Sequence, residues 1–358
     1  MPLRVSFVPF VHSFPYDFIV TLTVKFHLKS AKISYIIGQK GAVKIRKLSV
    51  LLIVLLMASD IASAISFNRI IYPIKTKDAS GDILEQMQPP ARIISIDPAV
   101  TEILFNLNLK DKIVGITENC NYPDDAKNIT KVGKDSVDIN KVVALKPDLV
   151  LVNYESQKND MERMRRTMLP PASPEAQPAP IQVFAVDPHS LQDIYDSISV
   201  IGTVTNKEHS AYSLLQKMKR RVDWVEARAK KEKKIKALVL LKKRPLTFAG
   251  QGSYLYDLSE KAGFDNAAPR GGIYVKMKRG DIEKADPDII ITSLDVARDP
   301  KNIYNDRNFR RTSAGKNKKV ICINEEMFSR PGPRVTQVLE EMATFAYGWG
   351  REIEQIKE

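Results

Sequence analysis

Cysteine is almost missing from this chain: Cys120 and Cys322 are the only two in 358 residues. No CxxC pair and no Cys/His cluster occurs, so neither a zinc centre nor a disulfide framework is indicated. Histidine is nearly as scarce, four in all, and only His189 and His209 fall after residue 64. A site for free zinc or manganese built on several histidines and carboxylates is therefore disfavoured. The chain has no phosphate-cradling glycine loop, Gly-x-Ser-x-Gly turn, paired His/Glu metal motif or dinucleotide fingerprint. ATP hydrolysis must then lie elsewhere, and an enzyme, although a two-lobed chain could hold a metal or cofactor, is the weaker reading. The apolar run at 48–58, of 11 residues, falls short of the roughly 20 that a membrane helix needs.

What is present is a basic, ordinarily globular composition: net charge +13, 44% hydrophobic and 27% charged residues. The basic residues are scattered or in short runs (230–236 and 316–319) without interleaved aromatics. That pattern describes a solvated basic surface, and no nucleic-acid partner is expected. Lys44-Ile45-Arg46-Lys47, the apolar run 48–58 and Ala62-Ser63-Ala64 have the three-part layout of a secretory signal peptide, with cleavage expected after Ala64. An uncleaved anchor is the alternative. No cysteine adjoins the cleavage site, which excludes a lipoprotein anchor there. Residues 1–42 show no domain-scale pattern and are expected to be a mis-assigned upstream extension, with translation starting at Val43. Residues 65–90 then read as a linker, or as a short edge strand at 69–74.

The densest pattern runs over 92–152. Apolar strands at 92–96, 112–117 and 148–152 alternate with amphipathic segments after Asp97-Pro98 and over 139–145, the mark of a parallel α/β sheet. A proline-rich stretch, 170–180, forbids regular helix and predicts a surface loop before a strand at 181–186. Helical spacing over 189–235 predicts two helices broken near Gly202, the second long. Strand and helix then alternate again, with strands at 237–241, 288–292 and 320–323 and a closing helix at 335–347. ALKPDLVLV and KADPDIIIT share one design, a helix end, a Pro-Asp turn and a buried strand, once in each half. The chain thus divides into a first α/β lobe (91–188), linker helices (189–235) and a second α/β lobe (236–358). Ligands of open parallel sheets sit beyond the strands' carboxyl ends. That rule nominates 97–101, 118–122, 153–155, 247–254, 293–295 and 324–330 as cleft walls.

RIISIDPAVTEILFNL, KIVGIT with NYPDDAKNITKVG, ALKPDLVL, TFAGQGSYLYDLSEKAGFDNAA, KADPDIIIT and FSRPGPRVTQVLEEMA follow one another in order. Together they resemble the successive motifs of the substrate-binding proteins of ABC importers for iron chelates, haem and cobalamin. The resemblance covers 92–348, with 170–180 as its main departure. It implies a non-catalytic, periplasmic protein of two Rossmann-like α/β lobes joined by a long linker helix. A ferric siderophore, haem or cobalamin would be held in the cleft between the lobes, with no cofactor of the protein's own. It further implies delivery to a permease and its ATPase, contact with the membrane only through that permease, and a monomeric state. A sensing or interaction module on the same fold is the alternative. Cobalamin-binding relatives place aromatics at positions matching Asn119, Lys134 and Asn153; only Tyr274 keeps one, which favours an anionic ferric chelate or haem. Relatives dock through one exposed glutamate on each lobe, at positions matching Asn140 and Gly280. Neither is acidic here, and Asp138, Asp281 and Glu283 are the neighbouring substitutes.

The candidate ligand-binding residues are Tyr154, Tyr274, Arg330, Arg334, Asn119 and Tyr122. A tyrosine after a strand can stack on a tetrapyrrole, donate a hydrogen bond or ligate ferric iron, or simply pack its loop; packing is the better reading for Tyr122. Arg330 and Arg334, around the turn SRPGPR, suit a ligand carboxylate, or else anchor the loop. Glu102 reads as a carboxylate near a helix start, and Ser95, Asp97 and Thr101 as turn and cap residues. His189 reads as an exposed residue opening the linker helix, with ligation of haem iron as the alternative.

Overall fold

The computed structural model describes residues 72–350 except 135, 172 and 176. The signal-peptide segment and the upstream extension lie outside these residues. Among the described residues no helix is long and apolar enough to cross a membrane. The described residues form fourteen strands in chain order: β1 (Ile74–Lys77), β2 (Ile83–Gln86), β3 (Ile93–Ser95), β4 (Ile113–Ile116), β5 (Leu149–Asn153), β6 (Met168–Leu169) and β7 (Ala179–Pro180). They continue with β8 (Val183–Val186), β9 (Ile235–Lys243), β10 (Leu246–Ala249), β11 (Phe264–Asn266), β12 (Tyr274–Lys276), β13 (Ile289–Ser293) and β14 (Val320–Ile323).

The first lobe is a parallel sheet in the order β4-β3-β5-β8. In β5, Leu149, Val150, Leu151 and Val152 are all buried. Helices cover both faces of such a sheet, so its strands read as unbroken apolar runs rather than alternating ones. The second lobe is mixed. β9, β13 and β14 run parallel, β11 pairs with the start of β9, and β10 and β12 add antiparallel strands on the same side. Its sequence shows the parallel strands β9, β13 and β14 clearly, but not the three-residue β11. The antiparallel ones, short and half-exposed, carry too little period to be read.

The Pro-Asp repeat has one structural meaning in both lobes. Asp148 Oδ2 accepts hydrogen bonds from Ala91 N (2.6 Å) and Arg92 N (2.8 Å), and Asp148 N donates to Arg92 O. Asp288 repeats this on the chain entering β9, accepting from Lys236 N at 3.0 Å and donating to Lys236 O. Two residues earlier, Lys146 (φ 45°) and Asp286 (φ 41°) both hold the left-handed conformation that ends the preceding helix. Each carboxylate therefore fastens the start of one strand to the start of its neighbour.

Two helices connect the lobes, Leu191–Val204 and Glu208–Ala229. Gly202 lies inside the first rather than ending it. A Cβ there would stand 2.6 Å from Ala211 Cβ, so the residue permits the close crossing of the two helices. On the longer helix Met218, Val222, Val225 and Ala229 form a buried stripe. That stripe belongs to one continuous apolar core that also holds Leu104, Leu149 and Phe184 of the first lobe and Val239, Ile291 and Leu339 of the second. At about 1.5–3 kcal/mol for each fully buried large apolar side chain, hinge opening through this core would be costly. Residues 74–86, in the stretch that reads as linker, form the hairpin β1–β2. Its turn is held by Asp78, which pairs with Arg165 and accepts a 3.0 Å hydrogen bond from Ala185 N. The proline-rich loop is closed at its base by β6 and β7.

Candidate functional site

The carboxyl ends of both sheets face a cavity of about 320 Å³ between the lobes, near the lower limit for small-molecule sites. Its walls contain residues from five of the six nominated strand-end segments; only 118–122 contributes none. The first lobe supplies Asp97, Asn153, Glu155 and Asp187, and the second supplies Tyr254, Tyr274 and Glu325. No lysine or arginine is among the described lining residues, although the chain as a whole is strongly basic.

Local structure fixes these side chains. Asp97 caps the helix Pro98–Asn106, accepting from Val100 N at 3.0 Å. Ser95 and Thr101 join hydroxyl to hydroxyl at 2.8 Å behind it. Burial pushes the Asp97 carboxyl above its ordinary value, against the pull of the Val100 and Ala99 amides and the Arg330 charge. Asn153 caps the helix Tyr154–Arg165 through Ser156 N (3.1 Å), which puts Glu155 in that helix's first turn. Ser190 and Asp193 form a reciprocal capping box at the start of the helix Leu191–Val204. His189 is fastened just before it: its N–H donates to Asp193 (3.2 Å), and its carbonyl accepts from Tyr254 N. The imidazole lies between two carboxylates, Nε2 at 3.3 Å from Asp187 and Nδ1 at 3.7 Å from Glu155.

Tyr274, the first residue of β12, reaches the cavity at the end of the loop 270–273. Gly250 lets that loop approach, since a Cβ there would meet Gly272 O at 2.5 Å, and Gly250 N donates to Ile273 O at 2.9 Å. Partial burial raises the Tyr274 phenol pKa, and the charges of Glu155 and Asp187 raise it further. Tyr254 turns its hydroxyl away to donate to Phe328 O at 2.6 Å, and burial holds that phenol far above its usual value.

The two arginines are engaged elsewhere. Arg334 makes a two-pronged ion pair with Glu102 across the lobes (2.9 and 2.6 Å), and Arg330 reaches the same carboxylate at 3.2 Å. Glu102 is 1% exposed and its two partners about a tenth. Arg330 also donates to Asn119 O (3.1 Å) and Asn121 Oδ1 (2.9 Å), while Arg334 lies 3.9 Å over the Tyr122 ring. Asn119, Tyr122, Arg330 and Arg334 are thus brought together, but upon one another beside the cavity. Glu102 is no helix-end carboxylate: it sits at the fifth position of its helix and anchors the lobe contact. Tyr154 packs on the first lobe's outer core and lines a separate surface recess with Lys158, Glu162 and Arg165. Asp138 caps the helix Ile139–Ala144, and Asp281 accepts from Lys278 N (2.9 Å) at the start of the helix Arg279–Ala285. Glu283 pairs with Arg279 at 2.9 Å.

Residues 93–327 match the family model described as periplasmic binding protein. This chain belongs to that family. Among the relatives of this binding protein is a Bacillus subtilis ABC transporter substrate-binding lipoprotein, YvrC, itself uncharacterised. It is 29% identical over 282 residues, 77% of this chain and 86% of its own. The vitamin B12-binding protein of Vibrio cholerae is 22% identical over 270 residues, 74% of this chain and 91% of its own. A crystal structure of a "possible" iron-binding, periplasmic solute-binding protein from Staphylococcus epidermidis superimposes with a TM-score of 0.64. It is 24% identical, with 73% of this chain and 100% of that one covered. The family consists of solute-binding proteins rather than enzymes, with two α/β lobes as found in this binding protein.

Sequence reasoning passes over Asp187 of the cavity, and takes His189 chiefly as an exposed residue opening the linker helix. β8 ends at Val186, so the strand-end rule points to 187–189 as it does to the other loops. The helical pattern beginning at 191 had drawn that stretch into the linker.

Proposed function

We propose that this protein is the extracytoplasmic solute-binding component of an ABC importer, capturing a metal chelate of the haem, cobalamin or ferric-siderophore class. The observation that carries the reading is the cavity at the carboxyl ends of two sheets whose lobes share one core. Such a body receives a ligand with little closure and presents one face of each lobe to a permease. The reading is tested by absorption and thermal-shift titration of residues 65–358 with haem, cobalamin and ferric siderophores. One of them should raise the melting temperature and perturb its own spectrum; a response to none contradicts it.

For docking we infer that Asp138 and Asp281, helped by Glu283, offer the permease one acidic patch per lobe. Both aspartates also bond to helix-start amides, and loss of a cap costs about 0.5–2 kcal/mol. Asparagine keeps the acceptor and removes the charge. D138N with D281N should therefore lower uptake while leaving ligand affinity and melting temperature unchanged. Undiminished uptake would remove these residues from the interface.

A further inference from the structure

The cavity has a chemistry that its neighbourhood does not explain. Four carboxylates, Asp97, Glu155, Asp187 and Glu325, line it without a lysine or arginine among the described lining residues. Glu325 has one carboxylate oxygen, Oε2, buried with no hydrogen-bond partner. An unpartnered buried acceptor is expensive, and a site that collects such groups is short of a positive centre. Three ligating atoms converge at one place on this wall: one each from Glu155, Asp187 and His189, all within 4.8 Å of one another. Glu155 is in the first turn of one helix and His189 is bonded through its backbone just before another, while Asp187 directly follows β8.

We propose that Glu155, Asp187 and His189 form a coordination site for a transition-metal ion that retains open positions, whether a hydrated divalent ion or the metal centre of a chelate. The proposal rests on the capture reading above and names what the cavity recognises: the metal itself, not anionic groups at the ligand's edge. Two carboxylates and an imidazole suit borderline first-row ions. Three protein donors leave the remaining positions for water or for a chelator. Tyr274 of the second lobe lines the same cavity. Arg330 and Arg334, already committed to Glu102, leave the cavity negative.

The test uses three cationic probes on the chain 65–358, followed by calorimetry: hydrated Ni2+, the Ni2+ complex of tris(2-aminoethyl)amine, and hexaamminecobalt(III). The first two have exchangeable positions; the third is positively charged but substitution-inert. Binding of either open probe, with hexaamminecobalt(III) inactive, is the expected result, and which open probe binds tells a free ion from a chelate. H189A and D187N should each weaken that binding by about tenfold or more. H189A keeps both backbone bonds of residue 189, and D187N keeps the side-chain shape, so melting temperatures should stay put. Equal binding of all three probes, binding indifferent to both variants, or no binding at all overturns the proposal. The capture reading fails separately. If haem, cobalamin or a ferric siderophore binds wild type and both variants alike, capture stands and coordination falls. If Ni2+ binds but no chelate does, the site stands and the capture reading falls.

Discussion

Two charge clusters lie where the lobes meet, and they are opposites. Around Glu102 every charge is answered. The carboxylate takes two arginines, and Arg330 also donates to Asn119 O and Asn121 Oδ1. Around His189 the charges are left open. Glu155 is 54% exposed, Asp187 and His189 about a quarter exposed, and their mutual distances of 3.3–3.7 Å are loose. A closed, buried network holds parts together; an open one facing a cavity is available to something else. The sequence offers the arginines either as the ligand's partners or as anchors of their loop. The structure commits them to the lobe contact and turns the carboxylates and the histidine towards the cavity.

This contrast can be broken first at its buried end. E102A leaves two nearly buried guanidinium groups without their counter-ion, and should cost about 3–5 kcal/mol of stability, read from the midpoint of chemical denaturation. A loss below 1 kcal/mol would mean that Glu102 does not hold the lobes. Y122L removes the ring beneath Arg334 and should cost about 0.5–2 kcal/mol, visible in the same experiment. At the open end the effects on stability should be much smaller. E155Q is expected to stay within about 0.5 kcal/mol of wild type while weakening metal binding. A large destabilisation would show that the open cluster is structural after all.

The smallest effect is one of pH. Burial raises the folded-state pKa of Asp97 above the ordinary 3.8. The folded protein therefore holds this proton longer than the unfolded chain does, and stability is lost as pH rises from the ordinary carboxylate value through the raised one. D97N keeps an N-cap acceptor and should flatten that part of the stability-against-pH curve, with little change below it. An unchanged slope would show that Asp97 is not the source.

Much of the frame could be read from local pattern. The parallel strands of both lobes, the proline-rich loop and the closing helix Val335–Tyr347 follow from apolar runs, proline and helical spacing. So does the Pro-Asp repeat, because Asp148 and Asp288 do the same short-range work in each lobe. The site was less legible. Glu102 and Arg334 are 232 positions apart, and nothing local in either segment announces the other. His189 lies in the loop after β8 and Glu155 in the first turn of the helix after β5, and no shared period links them. The strand-end rule found half of the described residues lining the cavity because it depends on topology, but it cannot say which polar groups find partners within the protein and which remain for a ligand.

Metal anomalous scattering separates groups kept for a ligand from groups used up within the protein. In crystals grown with whichever metal chelate raises the melting temperature, the anomalous peak should lie in the interlobe cavity. It should sit about 2.0–2.2 Å from a ring nitrogen of His189 and a carboxylate oxygen of Asp187. A peak beside Arg330 and Arg334, or in the recess at Tyr154, would contradict the account.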